Sequence, residues 1–304
     1  MKKILFLLLA AALTAACKPG SKQDNHGGDG KPVITVTLEP LRYFTEAIAG
    51  DRFTVVSMVP KGSSPETYDP TPAQLIDLAR SKAYFRIGYI GFEQTWMEKL
   101  AENAPHLQFY DMSEWVELIH DAAHDHREHA PVDPVGRHRH DGVEPHIWNS
   151  TVNAQVIARN ILHALIKLDA AGKMDYIARF KQLSKRIERT DSLVREKLSA
   201  PGADRAFLIY HPALSYFARD YGLHQIPIEA GGKEPSPAQL RTLIDACKDE
   251  QLHTIFVQPE FDRRNAELIA RQTGTRVVDI NPLAYEWETE MLKVADALSP
   301  KNNP

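Results

Sequence analysis

The 304-residue sequence contains only two cysteines, Cys17 and Cys247. This scarcity excludes a disulfide framework, and it also excludes a zinc site built from several thiolates. The 36 lysine and arginine residues are outnumbered by 40 aspartate and glutamate residues, so the formal net charge is −4. A surface that binds nucleic acid needs a basic excess, and the composition therefore argues against nucleic acid as a partner.

The sequence also lacks the short motifs of common hydrolases. It contains no His-Glu-x-x-His helix, no Gly-x-Ser-x-Gly elbow and no phosphate-binding loop. A metallohydrolase would further need a coordination position that stays open for its substrate. These absences favour a binding protein over an enzyme.

The N-terminal hydrophobic run is too short to remain in a bilayer as a helix, which takes about 20 apolar residues. Two lysines precede an apolar run from Ile4 to Ala12, and small residues lead directly to Cys17. This is the pattern of a secretory signal, and it resembles a bacterial lipobox, although Leu13 stands one place further from the cysteine than usual. We expect a signal peptide over 1–16, a lipidated Cys17 and a flexible tether over 17–31. The alternative is a soluble periplasmic protein cleaved at a nearby alanine.

Histidine, in contrast, is abundant. Of the 13 histidines, seven lie between positions 120 and 146. They are His120, His124, His126, His129, His138, His140 and His146. Few apolar residues follow Ile119, so the sequence predicts a mobile loop over 120–141 that packs no core. Its six imidazoles are interpreted as weak auxiliary metal sites, and a merely polar insertion is the alternative.

Alternating strand and helix patterns predict an α/β fold with mostly parallel sheets flanked by helices. Eight β-rich apolar runs are expected to be strands. They are Val33–Leu38, Phe53–Val59, Ala83–Ile87, Leu107–Met112, Ala206–Tyr210, Gln225–Ile228, Thr254–Val257 and Arg276–Ile280. Between the two groups of four, Met174–Ser199 contains no Gly or Pro and carries an apolar stripe. This segment predicts one long helix.

A short internal repeat indicates that the two halves are similar. Asp69–Leu75 reads DPTPAQL, and Glu234–Leu240 reads EPSPAQL. In each copy Thr or Ser is placed to cap a helix whose first residue is Pro; chance reuse of a common helix start is the alternative. The predicted architecture is two similar lobes joined by one long rigid helix. The N-terminal lobe is expected over 32–173, the linking helix over 174–200 and the C-terminal lobe over 201–304.

Four places put metal-binding side chains just after apolar strands or in loops. Their side chains are Glu66, His146, His211 and Asp279. Ligands of open α/β sheets gather at the carboxyl ends of strands, so a site shared by two lobes is expected there. Plain structural roles are the alternatives: a solvated turn for Glu66, stacking near an aromatic ring for His146 and a helix cap for Asp279.

Six stretches, taken in order, resemble a known family. They are Ala49–Asp51, Gly62–Leu75, Glu144–Trp148, Tyr210–Leu223, Glu234–Pro237 and Asp279–Leu283. The resemblance runs from Val33 to Leu298 and is to the zinc/manganese substrate-binding proteins of bacterial metal ABC importers, the ZnuA/TroA-like family. It implies two α/β lobes with one divalent transition metal between them. It also implies delivery of that metal to a membrane permease driven by a cytoplasmic ATPase.

The resemblance further implies a set of ligands. His146, His211 and Asp279 take the second, third and fourth places, and Glu66 stands in the first, where the family usually has histidine. Two imidazoles and two carboxylates suit Zn²⁺, although the oxygen ligands also suit Mn²⁺ and Fe²⁺. Because the third place holds a histidine, as in zinc members, we expect Zn²⁺ ahead of Mn²⁺ or Fe²⁺.

Together these patterns predict an extracytoplasmic, lipid-anchored monomer, in the periplasm or on the outer surface of a bacterium. It would capture Zn²⁺ and hand it to an ABC permease, without catalysis. One alternative is a manganese or iron receptor of the same type. The other is a surface metal-storage or adhesion lipoprotein.

Overall fold

A computed structural model describes residues 30–120, 142–229 and 232–300. The expected signal peptide over 1–16, the expected lipid anchor Cys17 and nearly all of the expected tether lie outside these ranges. Five of the six auxiliary histidines, all except His120, also lie outside them. No helix in the described ranges is long and apolar enough to cross a membrane.

Each of the eight predicted strands is present. The strands are β1 Val33–Val36, β2 Thr54–Ser57, β3 Ala83–Arg86, β4 Gln108–Asp111, β5 Ala206–Ile209, β6 His224–Pro227, β7 Thr254–Val257 and β8 Arg276–Asp279. They form two four-stranded sheets with the orders β2-β1-β3-β4 and β6-β5-β7-β8. All neighbouring strands are parallel. The same connectivity therefore occurs twice along the chain.

The central strands of both sheets are buried, as expected for parallel strands covered by helices on both faces. Ile34 of β1 lies opposite Val55 of β2 and Ala83 of β3. In the second sheet, Leu208 of β5 lies opposite Ile226 of β6 and Ile255 of β7. These pairings define the register of each sheet and align the carboxyl ends of its strands.

Helices connect the strands and cover both sheets. In the described ranges they are α1 Glu39–Ala49, α2 Pro72–Leu78, α3 Gly91–Asn103, α4 Thr151–Leu168, α5 Lys173–Ser199, α6 Ser215–Tyr221, α7 Pro237–Asp249, α8 Arg264–Thr273 and α9 Trp287–Leu298. Both copies of the internal repeat form the same capping box, with Thr71 and Gln74 at α2 and with Ser236 and Gln239 at α7. The repeat thus marks equivalent positions, and the predicted fold of two similar lobes is confirmed.

Helix α5 is the long helix expected between the lobes. Its 27 residues extend about 40 Å at 1.5 Å per residue. It packs against α1 and α4, which precede it, and against α9 at the end of the chain. Its buried side chains include Tyr176, Ile187 and Val194. The helix therefore contacts elements from both halves of the molecule.

One hydrophobic core runs through both lobes and includes Phe85 from the first and Phe207 from the second. Two buried tryptophans add hydrogen bonds across it. Trp148 donates its indole N–H to the Pro282 carbonyl at 2.8 Å, and Trp287 donates its own to the Trp148 carbonyl at 2.7 Å. These contacts hold the segment that carries His146 against the C-terminal lobe.

Candidate metal centre

A cavity of about 180 Å³ lies between the lobes, at the carboxyl end of the C-terminal sheet. One side is formed by residues 64–67 and His146 of the N-terminal lobe, and the other by residues that follow strands β5, β6, β7 and β8. Its side chains able to hold a cation are Glu66, His146, His211, Glu229 and Glu260. Three of the four predicted ligands therefore line one cavity.

His211 lies just beyond the carboxyl end of β5. Its backbone N–H donates to Gln258 Oε1 at 3.3 Å, and its carbonyl accepts from Gln258 Nε2 at 2.6 Å. The ring stacks on Phe261 with 5.4 Å between the ring centroids. Its Nδ1 lies 2.9 Å from Glu229 Oε1. Backbone and ring are thus held from several sides, and Nε2 is left facing the cavity.

His146 lies in the short segment before α4, with its side chain only 7% exposed. Its backbone N–H donates to Glu144 Oε1 at 3.0 Å, and its Nδ1 lies 2.5 Å from the same oxygen. A carboxylate only accepts hydrogen bonds, so Nδ1 carries the proton in this contact. In the neutral ring, Nε2 is then the free acceptor.

The two imidazoles converge from different lobes. Nε2 of His146 lies 3.2 Å from Nε2 of His211. A hydrogen bond at this distance requires that one ring carry a second proton, since two neutral rings with protonated Nδ1 atoms are both acceptors at Nε2. Two nitrogens bound at 2.0–2.1 Å to one tetrahedral zinc lie about 3.3–3.4 Å apart. The observed separation fits a pair of ligands to one metal ion.

Glu66 reaches the cavity from the loop after β2. Its Oε2 accepts a hydrogen bond of 3.1 Å from the N–H of Gly91, the first residue of α3. The positive end of a helix dipole favours a carboxylate at that place. Glu66 is thus an exposed anion on the N-terminal side of the cavity.

Asp279 does not line this cavity. It ends β8, an edge strand that β7 separates from β5. Its side chain is 68% exposed and pairs with Arg263 at 3.2 Å. Of the C-terminal carboxylates that line the cavity, Glu229 is the one in contact with His211. It follows β6, the other neighbour of β5. The prediction missed it because strand order is not visible in sequence, although its place after an apolar strand was a usable signal.

Glu144 is the second carboxylate that the sequence prediction missed. It stands two residues before His146, in the Glu-Pro-His stretch, and that proximity was the available signal.

His120, the one auxiliary histidine in the described ranges, is exposed and forms an isolated antiparallel bridge with Val143. The bridge brings the two ends of 120–143 together, three residues before His146.

The charges around His146 favour an ion pair in the absence of metal. Burial by itself lowers the pKa of His146, but Glu144, with help from Glu66 and Glu229, outweighs burial and raises that pKa above its usual value. Burial likewise raises the pKa of Glu144, and the contacts with His146 outweigh it and hold this pKa below its usual value. The cavity is thus electrostatically prepared for positive charge.

The metal-binding groups do not yet form a complete coordination shell. In the described part of the chain, no three His, Cys, Asp or Glu side chains lie close enough together to hold one ion. The histidine pair therefore forms only part of such a cluster, and Glu66, which is exposed, lines the same cavity.

Fold and cavity together define a class: a two-lobed α/β binding protein with paired imidazoles between its lobes. The family model described as ZnuA, zinc-uptake complex component A, periplasmic, matches residues 34–297. The chain belongs to this family, and the resemblance found in the sequence is confirmed.

Relatives with different metals in their names match at similar levels. The high-affinity zinc uptake system protein ZnuA of Bacillus subtilis is 26% identical over 285 residues, which cover 92% of this chain and 88% of the relative. The manganese ABC transporter substrate-binding lipoprotein PsaA of Streptococcus anginosus is also 26% identical, over 286 residues covering 90% and 87%. Overall identity therefore does not separate the zinc from the manganese proteins.

Solved structures agree with the fold. A crystal structure of ZnuA has a TM-score of 0.78 and 33% identity, and the match covers 88% of this chain and 97% of that chain. A ZnuA deletion mutant with zinc bound has a TM-score of 0.79 and 34% identity, covering 90% and 99%. Both structures match nearly their whole length.

Proposed function

We propose that this chain captures a divalent transition metal ion, Zn²⁺ foremost, in the cavity between its lobes and delivers it to an ABC permease. The observation that carries the proposal is the convergence of His146 and His211, whose Nε2 atoms are 3.2 Å apart. Each ring comes from a different lobe, so one bound ion would hold the two lobes together. Family membership supports the same function.

The proposed ligands are His146, His211 and Glu66. The imidazoles bind through Nε2, and Glu66 joins them by rotating away from the Gly91 N–H. Asp279 stays a prediction as the fourth ligand, since it would first have to leave Arg263. With three or four protein ligands and no hydrolase motif, the proposed role is binding and not catalysis.

Zn²⁺ is proposed because two imidazoles lie at a separation that suits tetrahedral coordination. Mn²⁺ is the specific alternative, supported by the manganese-named relative and by the carboxylates around the cavity. Oxygen ligands favour Mn²⁺ more than imidazoles do. Fe²⁺ is the next alternative, because oxygen ligands suit this ion as well.

The proposed setting is extracytoplasmic, with a lipid on Cys17 as the membrane anchor. Relatives named as lipoproteins of ABC transporters support this setting. The proposed partners are a permease and its cytoplasmic ATPase, and the chain is proposed to act as a monomer. To test the anchor, cells are supplied with radiolabelled fatty acid. We expect the wild-type chain to incorporate the label and a C17A variant to incorporate none.

Competitive titration of Zn²⁺ and Mn²⁺ against a chelator tests the metal and the ligands. We expect one tight Zn²⁺ site in the wild-type chain and a preference for Zn²⁺ over Mn²⁺. H146A and H211A should each lose more than the roughly 10–100-fold that removal of an outer hydrogen-bond partner costs. The exposed His224 provides the control H224A, expected to bind as the wild type does.

Two results would contradict the proposal. Tighter binding of Mn²⁺ would move the function to the manganese alternative, and unchanged affinity in both histidine variants would exclude this cavity. D279A is measured beside them. A loss as large as that of H146A would place Asp279 in the bound-state shell, and unchanged affinity would remove it.

Deletion of residues 121–141 tests the auxiliary sites separately. Removing five of the six auxiliary histidines should abolish the weak binding of Zn²⁺ ions beyond the first, since neutral imidazoles are common ligands of Zn²⁺. The tight equivalent should persist because His146 and His211 remain. Loss of tight binding would mean that ligands lie inside the deleted segment.

A further inference from the structure

Glu144 divides its two carboxylate oxygens between the lobes. Oε1 contacts Nδ1 of His146 at 2.5 Å and accepts the His146 backbone N–H at 3.0 Å. Oε2 accepts a hydrogen bond of 3.0 Å from the hydroxyl of Ser215, the first residue of α6 in the C-terminal lobe. One side chain, only 16% exposed, thus touches an imidazole of the cavity and the opposite lobe at once.

Neighbouring contacts hold this link in place. The Glu144 carbonyl accepts the hydroxyl of Tyr216 at 2.9 Å, and that hydroxyl accepts the Ile119 N–H at 3.1 Å. On the other side, Gln225 Nε2 donates to the Ser215 hydroxyl at 3.0 Å. Each polar group in the chain from Gln225 to His146 therefore has a defined partner.

Glu229 offers an internal contrast. It contacts Nδ1 of His211 at 2.9 Å, as Glu144 does for His146. Its backbone N–H donates to the Tyr210 carbonyl at 3.1 Å, so both members of this pair belong to the C-terminal lobe. The two histidines are oriented by the same chemistry, but of the two carboxylates it is Glu144 whose described hydrogen bonds include one to the other lobe.

We propose that Glu144 is a positioning residue that makes the orientation of His146 depend on contact with the C-terminal lobe through Ser215. The inference rests on the proposed function, because it concerns how the same cavity holds its metal. While Ser215 holds Oε2, Oε1 keeps the Nδ1 proton and directs Nε2 into the cavity. A movement that separates α6 from Glu144 frees the carboxylate and with it the ring, which weakens the hold on the metal.

The test is a double-mutant cycle on the full chain, with Zn²⁺ affinity measured against a chelator. E144A should weaken binding about 10–100-fold, as expected for loss of an outer partner of a ligand. E144Q should restore most of the affinity, because its amide oxygen still accepts from Nδ1–H. S215A should weaken binding about 10-fold, the lower end of the range for one hydrogen bond to a charged group.

The decisive comparison is between the double variants. E144A with S215A should bind no more weakly than E144A alone, because the two residues act in series. E229A with S215A should show the product of the two single effects. The control is E250A, which removes an equivalent contact between Glu250 and Nδ1 of His224 at the opposite end of β6; its affinity should equal that of the wild type.

Co²⁺ absorption gives a readout that a general loss of stability would not produce. Its bands should shift in E144A and return in E144Q, since they report ligand geometry.

Multiplicative effects of E144A and S215A, or wild-type binding by E144A, would overturn the inference. Absence of a tight Zn²⁺ site in the wild type, or wild-type binding by H146A, would instead overturn the proposed function. If E144A does not fold, S215A alone still tests the link between Ser215 and Glu144, and wild-type binding by S215A would overturn the inference.

Discussion

At the scale of single residues, the geometry of the candidate metal centre depends on residues that do not themselves line its cavity. Gly91 is the clearest case. A methyl group at this position would lie 2.6 Å from the Glu66 carbonyl oxygen and 2.9 Å from Glu66 Oε2. The loop and α3 therefore approach so closely that no larger residue fits without movement. Glu66 keeps its position because residue 91 lacks a side chain.

We expect G91A to displace Glu66 and to weaken Zn²⁺ binding about 10-fold, the lower range for loss of a partner that orients a ligand. Titration against a chelator measures this, with T95A on the exposed face of α3 as the control. G91A should add little in an E66Q background, because the affected carboxylate is already gone. Wild-type affinity in G91A would show that the position of Glu66 does not matter for binding.

At the scale of elements, one buried carboxylate joins three of them in the N-terminal lobe. Glu93 of α3 accepts the N–H groups of Ile87 at 2.9 Å and of Gly88, which follow β3. It also accepts the hydroxyl of Thr37, which follows β1. Burial raises the pKa of Glu93 to about 7, in opposition to these hydrogen bonds. The helix is thus attached to the carboxyl ends of two strands at an electrostatic cost near neutral pH.

This raised pKa predicts how stability changes with pH. The folded chain binds a proton at Glu93 more tightly than the unfolded chain, whose pKa is near 4.5. The contribution to the free energy of unfolding is therefore full below pH 4.5 and is lost as pH rises toward 7. It amounts to at most about 3 kcal/mol. E93Q should remove this slope.

Urea unfolding of E93Q and the wild type from pH 4.5 to 8 provides the measurement. E93Q should gain stability relative to the wild type as pH rises. The exposed Glu98 on the same helix supplies the control E98Q, whose slope should match the wild type. Parallel pH curves for E93Q and the wild type would contradict the assignment.

At the scale of the whole molecule, the lobes share one hydrophobic core, and α5 packs against helices from both. The described residues from Lys31 onward accordingly form one compact unit. Trp287 is 2% exposed, and its indole N–H donates to the carbonyl of Trp148, whose ring lies beside His146. Stability and cavity geometry are therefore coupled through the same side chains.

We expect W287F to lower the free energy of unfolding by at least about 1–3 kcal/mol, because the buried Trp148 carbonyl loses its donor. Trp115, 88% exposed, supplies the control W115F, expected to stay within about 0.5 kcal/mol of the wild type. Circular dichroism and tryptophan fluorescence should report one coincident transition in urea. Two separate transitions would mean that the lobes unfold independently.

Much of the fold follows from local patterns. All eight strands, the long helix and the repeated capping boxes were predicted from apolar runs, missing Gly and Pro, and the DPTPAQL and EPSPAQL stretches. These features are local because side-chain periodicity and capping act over a few residues. Family membership was likewise predicted, from motifs in a fixed order, and the family model confirms it.

Local sequence patterns thus predicted the elements, the duplicated lobe and the two histidines that converge. Which carboxylates lie beside these histidines depends on the tertiary packing. Asp279 follows an apolar strand as Glu229 does, yet strand order places Glu229 beside His211 and leaves Asp279 at the edge with Arg263. Glu144 acquires its role only when α6 of the other lobe brings Ser215 to it. Strand order and lobe packing arise from contacts between residues far apart in the chain, and no local pattern encodes them.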